Sequence, residues 1–120
     1  MSDNYLLYTN TENFGKVTHI VRKDGLAIIS IEQPKGEKDV AYIYGLNVHE
    51  TARKQGLGND ILKEAENYLI KTSNVQFFVI SAKRGWLTNW YCRNGYNVYK
   101  YNAEDKVNML SKIINRNNNA

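Results

Sequence analysis

An arginine and two glycines within one short stretch carry the first chemical signal in this chain. The segment Leu46-Asn47-Val48-His49-Glu50-Thr51-Ala52-Arg53-Lys54-Gln55-Gly56-Leu57-Gly58 ends a strand-like run and opens a helix-like one. Its core is Arg53-x-x-Gly56-x-Gly58. Glycines let the backbone turn tightly and bring several N–H groups toward one point. The helix start behind them adds partial positive charge, so the segment reads as a cradle for phosphate or pyrophosphate. Arg53 and Lys54 add formal charge beside it. Two other phosphate motifs do not fit. A P-loop needs Gly-x-x-x-x-Gly-Lys-Ser/Thr, which is absent, and a dinucleotide fingerprint needs Gly or Ala where Ile61 stands. Taken alone, two glycines also suit a plain turn before a helix. A second cluster, Trp90-Tyr91-Cys92-Arg93-Asn94-Gly95-Tyr96, places a phenol and a thiol side by side on a short helix.

The elements that must position these groups can be read from the pattern. Tyr5 to Tyr8 has strand character, and a polar stretch from Asn10 to Gly15 follows. Val17–Val21 and Leu26–Ile31 read as strands around the turn Lys23-Asp24-Gly25. After a second turn at Pro34-Lys35-Gly36-Glu37, a longer strand runs from about Val40 to Val48. From Gly58 the apolar positions Ile61, Leu62, Ala65, Tyr68 and Leu69 have helical spacing, with Lys63, Glu64, Glu66 and Asn67 on the other face. Gln76–Ala82 reads as a buried strand, and Gly85–Arg93 as a short helix capped by Asn94-Gly95. Tyr96–Tyr101 is strand-like. Asn102 and Asp105 resemble a capping box that opens a last helix through Val107, Leu110, Ile113 and Ile114. The fold class expected is α/β (α+β): a β meander followed by β-α-β-α-β, with a mixed, mostly antiparallel sheet and one right-handed crossover.

Composition narrows the class. The chain has 120 residues, 42% hydrophobic and 23% charged, as befits one folded domain. A single domain is expected over 1–115, with 116–120 as a disordered tail. No run approaches the roughly 20 apolar residues of a membrane span, and the first four residues lack a basic region before an apolar one. Cys92 is the lone cysteine, which excludes an intrachain disulfide and a Cys-rich zinc site and makes the cytoplasm the expected address. A net charge of +4 favours anionic partners without choosing among them.

The two clusters together resemble the GNAT superfamily of N-acetyltransferases. Val48, Arg53, Gly56 and Gly58 meet its cofactor pattern Val-x-x-x-x-Arg-x-x-Gly-x-Gly. Trp90, Tyr91, Gly95 and Tyr96 meet its later pattern aromatic-Tyr-x-x-x-Gly-aromatic, in the correct order and with a strand between. The resemblance covers roughly residues 40–101. It implies acetyl-CoA as co-substrate, no metal, and direct attack of an amine on the thioester. The implied cofactor contacts are Leu46, Asn47, Val48, Arg53, Lys54, Gln55, Gly56, Leu57 and Gly58, with the pantetheine arm between strands that splay near 42–48 and 76–82. Tyr91 inherits the role of protonating the departing thiolate; an unperturbed tyrosine, with pKa about 10, holds its proton at neutral pH.

Departures from the family are equally informative. Many members carry a glutamate base on the long strand, where this chain has Tyr42, and an asparagine where it has Arg84. The base is left among Tyr44, His49 or a water chain, or catalysis uses the small neutral fraction of the amine, and Lys83 with Arg84 either reach a phosphate or form a solvated face. Cys92 reads as a packing or surface cysteine. Two helices usual between the first strands have no room here, which implies an acceptor groove that is open or completed by another subunit, uncovered apolar surface near residues 5–20 and a homodimer. An open groove favours a protein lysine or N-terminus as acceptor amine. The competing readings are a non-catalytic acyl-CoA-binding regulator and, without any recognised motif to support it, a nucleic-acid module.

Overall fold

The computed structural model describes residues 4–114. The proposed tail 116–120 lies outside the described residues. Seven strands and two α-helices follow the order β1 (Tyr5–Glu12), β2 (Gly15–Arg22), β3 (Ala27–Pro34), β4 (Val40–Val48), α1 (Leu57–Thr72), β5 (Phe77–Ala82), α2 (Trp86–Arg93), β6 (Asn97–Asn102) and β7 (Val107–Ile113). They form one sheet ordered β1-β2-β3-β4-β5-β7-β6. All neighbouring strands are antiparallel except β4 and β5, which are parallel and joined through α1.

The segment 102–114, expected as a helix, is instead a turn and a strand. Asn102 Oδ1 accepts from the Asp105 N–H at 3.1 Å, which closes a tight turn rather than capping a helix. β7 then slots between β5 and β6, with Leu110 fully buried. Alternation of Leu110 and Ile114 with exposed Ile113 gives the period of two that decides in favour of a strand. β1 also runs further than expected, to Glu12, and only Asn13 and Phe14 separate it from β2.

Both helices cover the same face. Ile20, Ile29, Ile31, Ala41, Ile43, Phe78, Ile80 and Leu110 point from the sheet into one core with Ile61, Leu62, Ala65 and Leu69 of α1 and Tyr91 of α2. Thr88 of α2 accepts from Asn108 on that face at 3.2 Å. The alternate residues point the other way, where no helix lies among the described residues. Leu6, Tyr8, Ile28, Tyr44, Phe77 and Ile113 are accordingly exposed. The uncovered apolar surface expected near residues 5–20 is present and extends across the sheet.

Glu66, assigned above to the solvent face of α1, is buried. Its carboxylate accepts from the Tyr96 hydroxyl at 2.7 Å and pairs with Lys112 Nζ at 3.2 Å. Lys112 also donates to the Asn94 carbonyl at 3.0 Å. The cluster ties α1, the end of α2 and β7 together. Tyr96→Phe removes the donor and leaves its volume. Chemical unfolding should show a loss of about 1.5–3 kcal/mol, the usual worth of a hydrogen bond to a charged group; an unchanged midpoint would show that the cluster does not hold the fold.

Candidate active site

The site begins where a ladder stops. β4 and β5 pair at Val40–Phe77, Ala41–Phe78 and Tyr42–Val79, and no further, although β4 continues to Val48 and β5 to Ala82. On its other edge β4 carries a bulge. Ser30 faces Tyr44 and Ile28 faces Asn47, so Gly45 and Leu46 together oppose Ile29. Gly45 adopts φ 66°, the left-handed region that favours glycine. A bulge leaves its extra residue unpaired and re-aims the chain. Leu46 therefore has a ladder partner on neither side.

Beyond β4 the chain makes a short turn of helix and then the predicted cradle. His49 caps that turn by accepting from the Thr51 N–H, and its Nδ1 lies 2.8 Å from Thr51 Oγ1. It is a loop residue engaged in local bonds. Arg53 Nε donates to the Val48 carbonyl at 3.1 Å and folds the loop back against the strand end. Lys54 (φ 69°) and Gly56 (φ 79°) are both left-handed, and α1 starts directly after them. Such a turn gathers N–H groups into a concavity at the helix N-terminus. A side chain at Gly56 would meet nothing, whereas one at Gly58 would meet Trp90 at 3.4 Å. Gly56 is needed for its backbone angle, while a Cβ at Gly58 would just touch the Trp90 ring and a larger side chain would press on it.

Between cradle and α2 lies a cleft of about 680 Å³. It is lined by Leu46, Asn47, Val48, Arg53, Lys54, Gly56, Leu57, Gly58 and Tyr91, the residues singled out from sequence, with Gln55 alone outside it. Ala52, Asn59, Trp86, Leu87 and Trp90 complete the wall. Trp86, which no sequence pattern singled out, stands 76% exposed on the first turn of α2 at the edge of the cleft. The charged residues of the wall are Arg53 and Lys54, both cationic. Lys83 and Arg84 do not line it, and Arg84 stacks on the ring of Tyr101 at 4.1 Å. Cys92 is exposed on α2.

Tyr91 is held by its neighbours' rings. Trp90 and Tyr96 meet it edge to face, at 5.0 and 5.9 Å between centroids. α2 then ends on Gly95 (φ 96°), with the Tyr96 N–H reaching the Tyr91 carbonyl and the Gly95 N–H that of Cys92. This cap turns the chain so that Tyr96 comes back under Tyr91. Burial pushes the Tyr91 phenol up to about 12. Its hydroxyl makes no hydrogen bond among the described residues, and the residue lines the cleft.

A second, smaller groove of about 410 Å³ opens on the helix-free face, lined by Phe14, Glu32, Pro34, Glu37, Tyr42, Ile43, Tyr44, Val79, Ser81 and Met109. Ile43 and Tyr44 lie on β4 just past its last pair with β5, so this groove flanks the same gap from the opposite side.

Residues 4–96 match the Acetyltransferase (GNAT) family. The chain belongs to that family and is an acyltransferase. No curated protein is significantly similar in sequence. Solved structures share the fold. A GNAT family acetyltransferase from Elizabethkingia anophelis with acetyl-CoA bound superposes with a TM-score of 0.68 at 13% identity, over 94% of this chain and 100% of that one. An acyl-CoA N-acyltransferase from Pseudomonas aeruginosa gives 0.67 at 22% identity, over 84% and 70%. The PaiA N-acetyltransferase from Thermoplasma acidophilum in complex with coenzyme A gives 0.67 at 15%, over 82% and 60%.

The two glycines should respond differently to substitution. Gly58→Val displaces Trp90 and should weaken acetyl-CoA binding at least about tenfold, or 1.4 kcal/mol. Gly56→Ala strains a left-handed residue and should cost about 1–2 kcal/mol of stability without a clash. Calorimetry and melting curves read the two effects separately; equal acetyl-CoA affinity in a folded Gly58→Val protein would contradict the cradle.

Proposed function

We propose that this chain transfers the acetyl group of acetyl-CoA to a primary amine by direct attack. The observation that carries the reading is the parted pair of strands leading from a cationic glycine turn to a buried tyrosine. The pyrophosphate would rest on the N–H groups of Gly56, Leu57 and Gly58, beside Arg53 and Lys54, where helix start and side chains supply positive charge. The arm would lie between β4 and β5 and use backbone groups near Leu46 and Val48. Trp86 offers an exposed ring to the base. No step calls for a metal. The acceptor proposed is an amine on a macromolecule, a lysine side chain or a protein N-terminus, because the helix-free face leaves its groove open. The setting proposed is the cytoplasm.

In this reading Tyr91 faces the sulfur. A phenol at about 12 keeps its proton throughout neutral pH. It is a weaker acid than an ordinary thiol, whose pKa is about 8.5. Dry surroundings raise a thiol as they raise the phenol. Tyr91 therefore acts first as a hydrogen-bond donor to the developing thiolate and passes its proton as the C–S bond breaks. The retained tyrosine favours this reading over a regulator that only binds acyl-CoA.

Tyr91→Phe should leave acetyl-CoA affinity and melting temperature near those of the parent, because the hydroxyl holds no partner among the described residues. Turnover should fall roughly 10²–10⁴-fold, the range of general acid–base help. Parental turnover in this variant would take Tyr91 out of the chemistry and leave the acyl-CoA-binding regulator as the better reading.

We also propose a homodimer formed through the exposed apolar end of the sheet around Leu6 and Tyr8, a contact that leaves the groove at Tyr44 open. Sedimentation at high concentration should show a species of twice the mass; monomer alone would remove it.

A further inference from the structure

The helix-free groove differs from the cleft in charge. Its ionisable carboxyl groups are Glu32 and Glu37, and among the described residues no lysine or arginine lines it. Phe14, Tyr42 and Tyr44 add aromatic rings. This local character runs against a chain whose net charge is +4. The wall is assembled from separate parts. Glu32 stands directly across from Tyr42 in the β3–β4 ladder. Glu37 comes from the β3–β4 turn, and its carboxylate accepts from the Tyr42 hydroxyl at 2.8 Å. Phe14 is brought in by the β1–β2 turn, whose carbonyl at Phe14 accepts from the Lys35 N–H at 2.7 Å. That approach requires Gly15, since any side chain there would collide with the backbone of Gln33 and Pro34.

Resting on the acetyltransferase reading above, we infer that this groove is the acceptor subsite, that it takes an alkylammonium group such as a lysine side chain, and that Glu37 receives its proton. The cofactor cleft occupies the helix side of the gap between β4 and β5, so an acceptor has to arrive from the opposite side. There it meets two carboxylates and aromatic faces, the surroundings that favour a cation. Tyr42 and Tyr44 both feel this field: the bond to Glu37 raises Tyr42 first, and burial followed by Glu32 raises Tyr44. Tyr42 itself bears no negative charge and serves as a positioning residue. It holds the Glu37 carboxylate at the level of the last β4–β5 pair, where the gap opens.

The step balances. The ammonium gives one proton to Glu37 and becomes a neutral amine. Its nitrogen forms a bond to the thioester carbonyl carbon, the C–S bond breaks, and the thiolate takes a proton from Tyr91. The second proton released by nitrogen restores the tyrosine through water. Glu37 returns its proton to solvent, so each turnover yields amide, thiol and one proton.

The test compares two nucleophiles with the intact protein and acetyl-CoA: Nα-acetyl-lysine methylamide, a cation at pH 7.5, and methoxyamine, which is neutral there. With the lysine probe, Glu37→Gln should lower kcat/KM about 100-fold or more. Glu32→Gln should raise KM about tenfold with little change in kcat, as expected for a lost charge contact near 1.4 kcal/mol. Tyr42→Phe should fall between the parent and Glu37→Gln, and Glu104→Gln, in the exposed β6–β7 turn, should match the parent. With methoxyamine, corrected for its uncatalysed rate, Glu37→Gln should lie within about threefold of the parent, because no proton has to be removed before attack. Retention of parental kcat/KM with lysine by both glutamate variants would overturn the assignment. So would an equal loss with both nucleophiles, which would mark a structural role. A parent that acetylates methoxyamine but not the lysine probe would remove the subsite and keep the transferase; a parent that acetylates neither would remove the transferase reading itself.

Discussion

A closed sheet pairs the backbone N–H and C=O groups of its inner strands, and the parting of β4 from β5 opens two strand edges in the middle of this one. The ladder ends at Tyr42 and Val79, while both strands continue. On the far edge, the bulge at Gly45 and Leu46 removes further pairing at the same height. A sheet so opened offers its strand edges to water or to a polar, extended molecule. The remaining features of the site are arranged around this gap. The glycine cradle stands at its end, Tyr91 at one side, and the acidic groove opens on the face without helices.

Holding the gap open is the task of the elements on either side. α1 packs beneath β2, β3 and β4 with Ile61, Leu62, Ala65 and Leu69 buried. α2 has only eight residues and few contacts of its own, too short to be stable without help. Its position is set by three local devices. Gly58 admits the Trp90 ring against α1, the Gly95 cap folds Tyr96 under Tyr91, and the Tyr96–Glu66–Lys112 cluster locks that fold. The position of Tyr91 thus depends on a buried carboxylate belonging to another helix.

Much of this was legible in the residues. β4 spans Val40–Val48 as read, and eight of nine proposed cofactor contacts line one cleft. Those signals are local, because a glycine turn before an amphipathic helix is written in consecutive residues. The errors came from contacts distant in sequence. Glu66 sits at a position that helical spacing assigns to solvent, and only Tyr96 and Lys112, 30 and 46 residues away, bring it inside. Asn102 and Asp105 suit a helix cap and a tight turn alike, and β7 became a strand because β5 and β6 offered edges on both sides. The middle of β4 carries no carboxylate of its own, and only the folded chain brings Glu37, from the preceding turn, back onto the Tyr42 hydroxyl. Gly45 carried a readable signal, an isolated glycine inside a strand, which marks a bulge.

A titration of isotope-labelled protein with acetyl-CoA, followed by amide NMR, probes the open gap and its cradle most directly. Saturable shifts are expected at the amides of Leu46, Asn47 and Val48 and of Gly56, Leu57 and Gly58, together with the side-chain signals of Trp86 and Tyr91. Saturation without change at these positions, or shifts confined to lysines elsewhere on the surface, would contradict the assignment of the gap between β4 and β5 as the acetyl-CoA site.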